Sequence, residues 1–111
     1  MKTKQLGLGI VLAMACASGM ANELADKVSA MTESGRRTFT GVLVRQTGAQ
    51  CPAVQRTFFQ GTKDKSAVWN ITCNSRDSYG IVFADDAAYS TQITKCSEVP
   101  TLVGAPCFKK F

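Results

Sequence analysis

Residues 67–74 read Ala-Val-Trp-Asn-Ile-Thr-Cys-Asn, and residues 78–83 read Ser-Tyr-Gly-Ile-Val-Phe. In the first run Ala67, Trp69, Ile71 and Cys73 fall on one face and Asn70, Thr72 and Asn74 on the other. That is the period-two pattern of a strand buried on one side. In the second run Tyr79, Ile81 and Phe83 share a face. A connection over 74–78 makes the two runs a hairpin with Trp69 opposite Phe83 and Ile71 opposite Ile81, pairs that contribute roughly 0.2–1 kcal/mol each. After a turn at Asp85-Asp86, Tyr89, Thr91 and Ile93 continue the same face, and the expected unit is an antiparallel β-meander.

Upstream, Val54–Gln60 (Val-Gln-Arg-Thr-Phe-Phe-Gln) reads as another strand, hairpinned onto 67–73 through Gly61–Lys65. Setting Cys51 across from Cys73 buries Phe59 and exposes Phe58, whereas Val54 and Phe58 favour the opposite parity. The conflict calls for a β-bulge or a one-residue change of register. Residues 22–34 carry Leu24, Val28 and Met31 at helical spacing, with Asn22 as cap and Glu23 and Asp26 in the first turn; Gly35 is expected to end this helix. Thr38–Gln46 is rich in β-branched residues and is expected as a strand. Ser97–Pro106 is broken by Pro100, Gly104 and Pro106 and excludes a long helix. The expected fold class is α+β: one N-terminal amphipathic helix packed on a small antiparallel β-meander of three to five strands, stapled by disulfides.

The chain opens with Met-Lys-Thr-Lys, an apolar run from Leu6 to Ala17, and small residues up to Ala21. A basic start, a short apolar stretch and small residues at its end describe a secretory signal peptide over residues 1–21, too short to span a bilayer. Cleavage after Ala21 or after Ala17 both fit the small-residue rule. A lipoprotein anchor at Cys16 fits less well, because Ala13 stands where that signal wants leucine. Removing Lys2 and Lys4 leaves 11 of the 13 basic residues against 8 acidic ones, a formal charge of +3. The expected mature protein is a single domain over residues 22–111, periplasmic or secreted.

Of the five cysteines, all but Cys16 fall in that domain. An even number in a short exported chain reads as a disulfide framework, and a domain of this size has a small core that benefits from one. In a meander Cys51, Cys73 and Cys96 come to one end of the sheet, and Cys107 returns there with the terminal segment. Pairing Cys51 with Cys73 and Cys96 with Cys107 closes two local loops. The competing pairing joins Cys51 to Cys107 and Cys73 to Cys96.

Other chemistry finds little support in the sequence. No two cysteines stand two residues apart, as redox sites and structural zinc sites usually require, and the chain has no histidine. Without histidine the usual general base and the centre of a nucleophile triad are missing. Asp85 and Asp86 diverge as neighbours, and Asp64 and Asp77 sit where aspartate bonds turn amides. No cofactor or metal is expected.

The run Ala67–Tyr89 is similar in outline to the hairpin of PepSY-type domains of bacterial envelope proteins, in which a helix precedes strands ending in an aspartate-led turn. The likeness covers less than a quarter of the chain, the glycine expected after the turn is absent, and the four cysteines are additional to the family pattern. In that family some members inhibit proteases as propeptides, which would imply an inhibitory role.

The expectation is therefore a small exported, disulfide-stabilised binding or accessory protein without catalytic activity, of inhibitor or immunity type. Its partner would be another envelope or secreted protein. Nucleic acid is not expected; contact with a membrane is compatible with the basic surface but not required. Lys63, in the loop 61–65, and Arg76, in the loop 74–78, are the candidate partner-binding residues. The alternative is a small histidine-free envelope enzyme, either a carboxylate hydrolase or a thiol-disulfide exchange protein.

Overall fold

A computed structural model describes residues 23–111 apart from 75, 87 and 89. The expected signal segment with Cys16, the capping role of Asn22 and the orientation of Tyr89 lie outside the described residues. Four strands, β1 (Val54–Lys63), β2 (Ser66–Cys73), β3 (Ser78–Phe83) and β4 (Thr91–Lys95), form one antiparallel sheet in the order β1-β2-β3-β4. Ahead of it stand helices α1 (Glu23–Ala30) and α2 (Glu33–Arg45), and after it a short helix, α3 (Val99–Val103).

The faces of β2 and β3 follow their alternation, but their register differs from the expectation by two residues. Ala67 pairs with Phe83, Trp69 with Ile81 and Ile71 with Tyr79. The cause is a tighter connection: Thr72 still pairs with Ser78, the Cys73 amide donates to Asp77 O at 2.8 Å, and the Arg76 amide donates to Cys73 O at 2.8 Å. An even shift leaves every side chain on its face, so the core is unchanged. β1 is longer than expected, and Gly61–Lys65 is not an open loop. Lys63 pairs with Ser66 around a two-residue turn in which Asp64 (φ 49°) and Lys65 (φ 68°) are both left-handed, the conformation that matches strand twist. The parity conflict along β1 is resolved by irregularities between Val54 and Arg56 and between Phe59 and Gly61. They let Val54 and Phe59 join one core across an odd separation.

The N-terminal segment departs most from expectation, with two helices where one was expected and no strand over 38–46. Thr32 begins α2: its hydroxyl accepts the Gly35 amide at 3.0 Å, so Gly35 lies in the first turn of a helix rather than ending one. The β-branched residues 38–46 follow a helical stripe instead. Phe39, Thr40, Leu43 and Val44 face inward, and the Thr40 hydroxyl is satisfied by Arg36 O at 2.8 Å, so its complete burial leaves no orphan. Burial of that stripe outweighs a β preference of a few tenths of a kcal/mol per residue.

Packing is two-sided. On one face Ala25, Val28 and Val44 from the helices join Val54, Trp69, Ile71, Tyr79, Ile81 and Phe83 in one core, with the Phe39 ring stacked on Phe83 at 6.5 Å. On the other, Val99 and Val103 of α3 pack on Val68 beside Val82 and Cys107. Asn70, which alternation alone assigns to solvent, is fully buried there. Gly80 makes this possible, because a Cβ on it would stand 2.6 Å from Val99 Cγ2.

Cys51 is bonded to Cys73 and Cys96 to Cys107, at sequence separations of 22 and 11. On the chain-entropy account each closure contributes about 3 kcal/mol.

Candidate functional site

The two residues singled out from sequence lie at opposite ends of β2. Lys63 is exposed beside the β1–β2 turn and Arg76 is exposed in the β2–β3 turn. The intervening strand, Ser66–Cys73, covers about 25 Å at the usual rise per residue. The structure therefore does not bring them into one site, and each heads a surface of its own.

At the Arg76 end the backbone is held from several directions. The amide of Arg76 and that of Cys73 close the turn, and the Thr72 and Ser78 hydroxyls approach to 3.2 Å across its base. Cys73 is covalently tied to Cys51, and Cys96, tied to Cys107, donates its amide to Ser78 O at 3.0 Å. Arg76 itself has φ 80°, a left-handed conformation that non-glycine residues adopt at some energetic cost. Beside it Asp77, Tyr79, Lys95 and Ser97 line an open recess of about 300 Å3. The result is a cationic side chain projecting from a short turn clamped at its base by two disulfides.

At the Lys63 end the surface is built by the C-terminal segment. Gln60 and Asn70, both fully buried, hold that segment to the sheet. The Asn70 amide donates to Gln60 Oε1 at 3.0 Å, Gln60 Nε2 donates to Pro106 O at 2.7 Å and Lys109 O at 3.1 Å, and the Phe108 amide donates to Asn70 Oδ1 at 2.6 Å. The Phe111 amide then bonds Gln60 O at 3.2 Å along the edge of β1. An open groove of about 510 Å3 runs between Lys63 and the segment 103–111, with Lys109 and Lys110 on its far side. Next to it the Arg56 guanidinium lies 4.1 Å over the Phe108 ring, and Lys110 Nζ lies 4.8 Å over Phe59.

Sequence reasoning did not find the cluster at the helix corner. Arg36, with only 12% of its side chain exposed, donates to Val28 O, Ser29 O and Met31 O and lies 4.5 Å over the Trp69 ring. It thereby satisfies the open carbonyls at the end of α1. Glu33 accepts from Arg36, from Arg37 and from both the amide and hydroxyl of Thr57 in β1. Burial disfavours its charge, but the bonds from Thr57 and Arg37 and the Arg37 charge outweigh that and hold the carboxyl below its ordinary pKa. These groups consume one another's bonding capacity, so the cluster joins α1, α2 and β1 and leaves no carboxylate poised for proton transfer. The usable signal was Thr32-Glu33 followed by Arg36-Arg37, a helix start with its own ion pairs.

Of the other acids, Glu23 lies 3.6 Å from Lys27 Nζ, Asp86 Oδ1 accepts the Ser90 amide at 3.0 Å, and Glu98 Oε1 accepts the Thr94 hydroxyl at 3.3 Å. Among the described residues no group of three potential ligands could hold a metal ion, and no helix is long and apolar enough to cross a membrane. Compared with family models, with curated proteins and with solved structures, the chain matches none.

Proposed function

We propose that this protein is a small exported binding or accessory protein of inhibitor or immunity type, acting without catalysis by docking Arg76 into an acidic recess of another envelope or secreted protein. The observation that carries this reading is the clamped β2–β3 turn. Its base is fixed by the Cys73 and Arg76 amide bonds and flanked by both disulfides, while Arg76 remains exposed at φ 80°. A residue held in an unfavourable conformation on an exposed turn whose base is fixed is a reason to look for function there. Rigidity lowers the ordering cost of binding, and an arginine anchor is among the side chains that most often dominate an interface.

Lys63 belongs to a different surface and is not part of this anchor. Export, which places the partner in the envelope or outside the cell, rests on the basic and apolar start of the chain and is compatible with the two disulfides. The test is affinity capture from the source envelope with the oxidised protein as bait, run beside an Arg76→Ala bait. A partner retained by the parent and lost by at least about tenfold with Arg76→Ala supports the reading. Equal retention by both baits removes Arg76 as the anchor, and turnover of a substrate by the pure protein would replace the reading with an enzymatic one.

A further inference from the structure

We propose that the opposite end of the molecule, the face formed by Lys63, α3 and the C-terminal segment, docks on an anionic phospholipid surface. This surface is separate from the Arg76 turn and does not depend on its role.

Its lysines are Lys63, Lys109 and Lys110, and no aspartate or glutamate lines the groove between them. The closest acid by position, Asp64, lines the adjoining recess under Leu102. Among the described residues none of the three lysines makes a salt bridge. The groove has no guanidinium fork or buried donor that would select a single phosphate. Lysine ammonium groups are compact point charges, which match a surface whose anionic groups adjust to them.

Apolar side chains on the same face make lipid the fitting source of that charge. Phe111 is 48% exposed and Leu102 40% exposed, two of the three large hydrophobic side chains so exposed among the described residues. Phe111 shares the groove with the lysines, and Leu102 shares the next recess with Lys63. A soluble polyanion would satisfy the lysines and leave these two side chains in water. The boundary of a bilayer offers phosphates and, immediately beneath, acyl chains. Gln60, Asn70 and the Cys96–Cys107 bond already order this segment, so docking requires little further ordering.

The experiment is vesicle flotation of the disulfide-intact protein. It should float with mixed phosphatidylglycerol and phosphatidylcholine vesicles at low salt, and binding should fall at least about tenfold at high salt or on phosphatidylcholine alone. Reversing the charges (K63E, K109E and K110E together) should lower binding by about a hundredfold. The L102S and F111S double variant should lower it by about tenfold with an unchanged melting temperature. In an F111W variant, the new indole should shift its emission to the blue with phosphatidylglycerol vesicles. Absence of flotation, equal flotation of the double variant, or an unshifted emission overturns the proposal. Heparin binding that matches vesicle binding in strength and is insensitive to L102S and F111S would instead identify a soluble-polyanion site.

Discussion

Asn70 and Gln60, on adjacent strands and on the same face of the sheet, share a 3.0 Å amide-to-amide hydrogen bond with no exposure to solvent. Their outer polar atoms bond Pro106, Lys109 and Phe108 rather than each other. Two polar side chains therefore convert a face that alternation assigns to water into the seat of the C-terminal segment. An Asn70→Leu substitution leaves Gln60 Oε1 and the Phe108 amide without their partner. It is expected to destabilise the oxidised protein by about 2–4 kcal/mol in urea unfolding and to make the segment beyond Cys107 sensitive to protease. A loss below about 0.5 kcal/mol would mean that water replaces Asn70 without cost.

α3 depends on an absent side chain. Gly80 sits beneath Val99, and an added Cβ would fall within 2.6 Å of Val99 Cγ2, a side chain that is 1% exposed. Gly80→Ala should cost about 1–3 kcal/mol through displacement of α3. Pairing it with Val99→Ala should recover part of that cost, giving a coupling energy outside additivity in a double-mutant cycle. Simple addition of the two effects would show that α3 moves away freely.

How much of this was legible in the sequence depended on how local the cause was. The faces of β2 and β3 were readable because Trp69, Ile71, Tyr79, Ile81 and Phe83 alternate without interruption, and an even register error cannot change a face. The irregularity of β1 was readable as a conflict between the parity of Cys51 and Phe59 and that of Val54 and Phe58. Residues 38–46 misled because their β-branched composition was weighed above the stripe of Phe39, Leu43 and Val44, which becomes meaningful only once Thr32 is seen to cap. The second face was illegible for a different reason. Its cover is supplied by residues 99–111, some thirty positions or more from Asn70, and by buried amides that look like surface in any alternation pattern. Lys63 and Arg76 were both visible as loop cations, but their separation by the full length of β2 is a property of the sheet alone.

Under the proposed docking role, Arg76 sets stability and binding in opposition. Its φ of 80° is natural to glycine, so Arg76→Gly should relieve the backbone and raise stability by about 0.5–1 kcal/mol, less any added unfolded-state entropy. If Arg76 is the anchor of the proposed docking, the same substitution removes the interaction. The expected outcome is a midpoint in denaturant equal to or above the parent's together with loss of partner capture. A lower midpoint would show that the arginine side chain itself supports the turn.

The disulfides differ in what they hold. Cys51–Cys73 ties the start of β1 to the end of β2 within the main core, whereas Cys96–Cys107 ties α3 and the C-terminal segment to the end of β4. Replacing Cys96 and Cys107 together by alanine should cost about 3 kcal/mol and raise amide exchange chiefly over residues 99–111. Replacing Cys51 and Cys73 should cost a similar amount but raise exchange across β1 and β2. Identical exchange patterns for the two variants would mean that the molecule opens only as one unit.

The Glu33 cluster provides a pH test with a definite sign. Hydrogen bonds from Thr57 and Arg37, and the Arg37 charge, overcome burial and lower the folded-state pKa of Glu33. A depressed carboxylate contributes stability that is fully present above its unfolded value of about 4.3 and is lost as pH falls through the lower folded value. The side chain is 41% exposed, so solvent screens much of its Coulomb interaction, and the contribution at neutral pH is expected to be only about 1 kcal/mol. Glu33→Gln should therefore be less stable than the parent by about that amount near pH 7, and the gap should close as the pH is lowered toward about 3. Thr57→Val, which removes the hydroxyl bond of 2.6 Å but keeps the Thr57 amide and both arginines, should show a smaller gap with the same direction of pH dependence. A Glu33→Gln gap that stays constant over this range would show that the side chain acts through its shape and neutral hydrogen bonds, with no contribution from its charge.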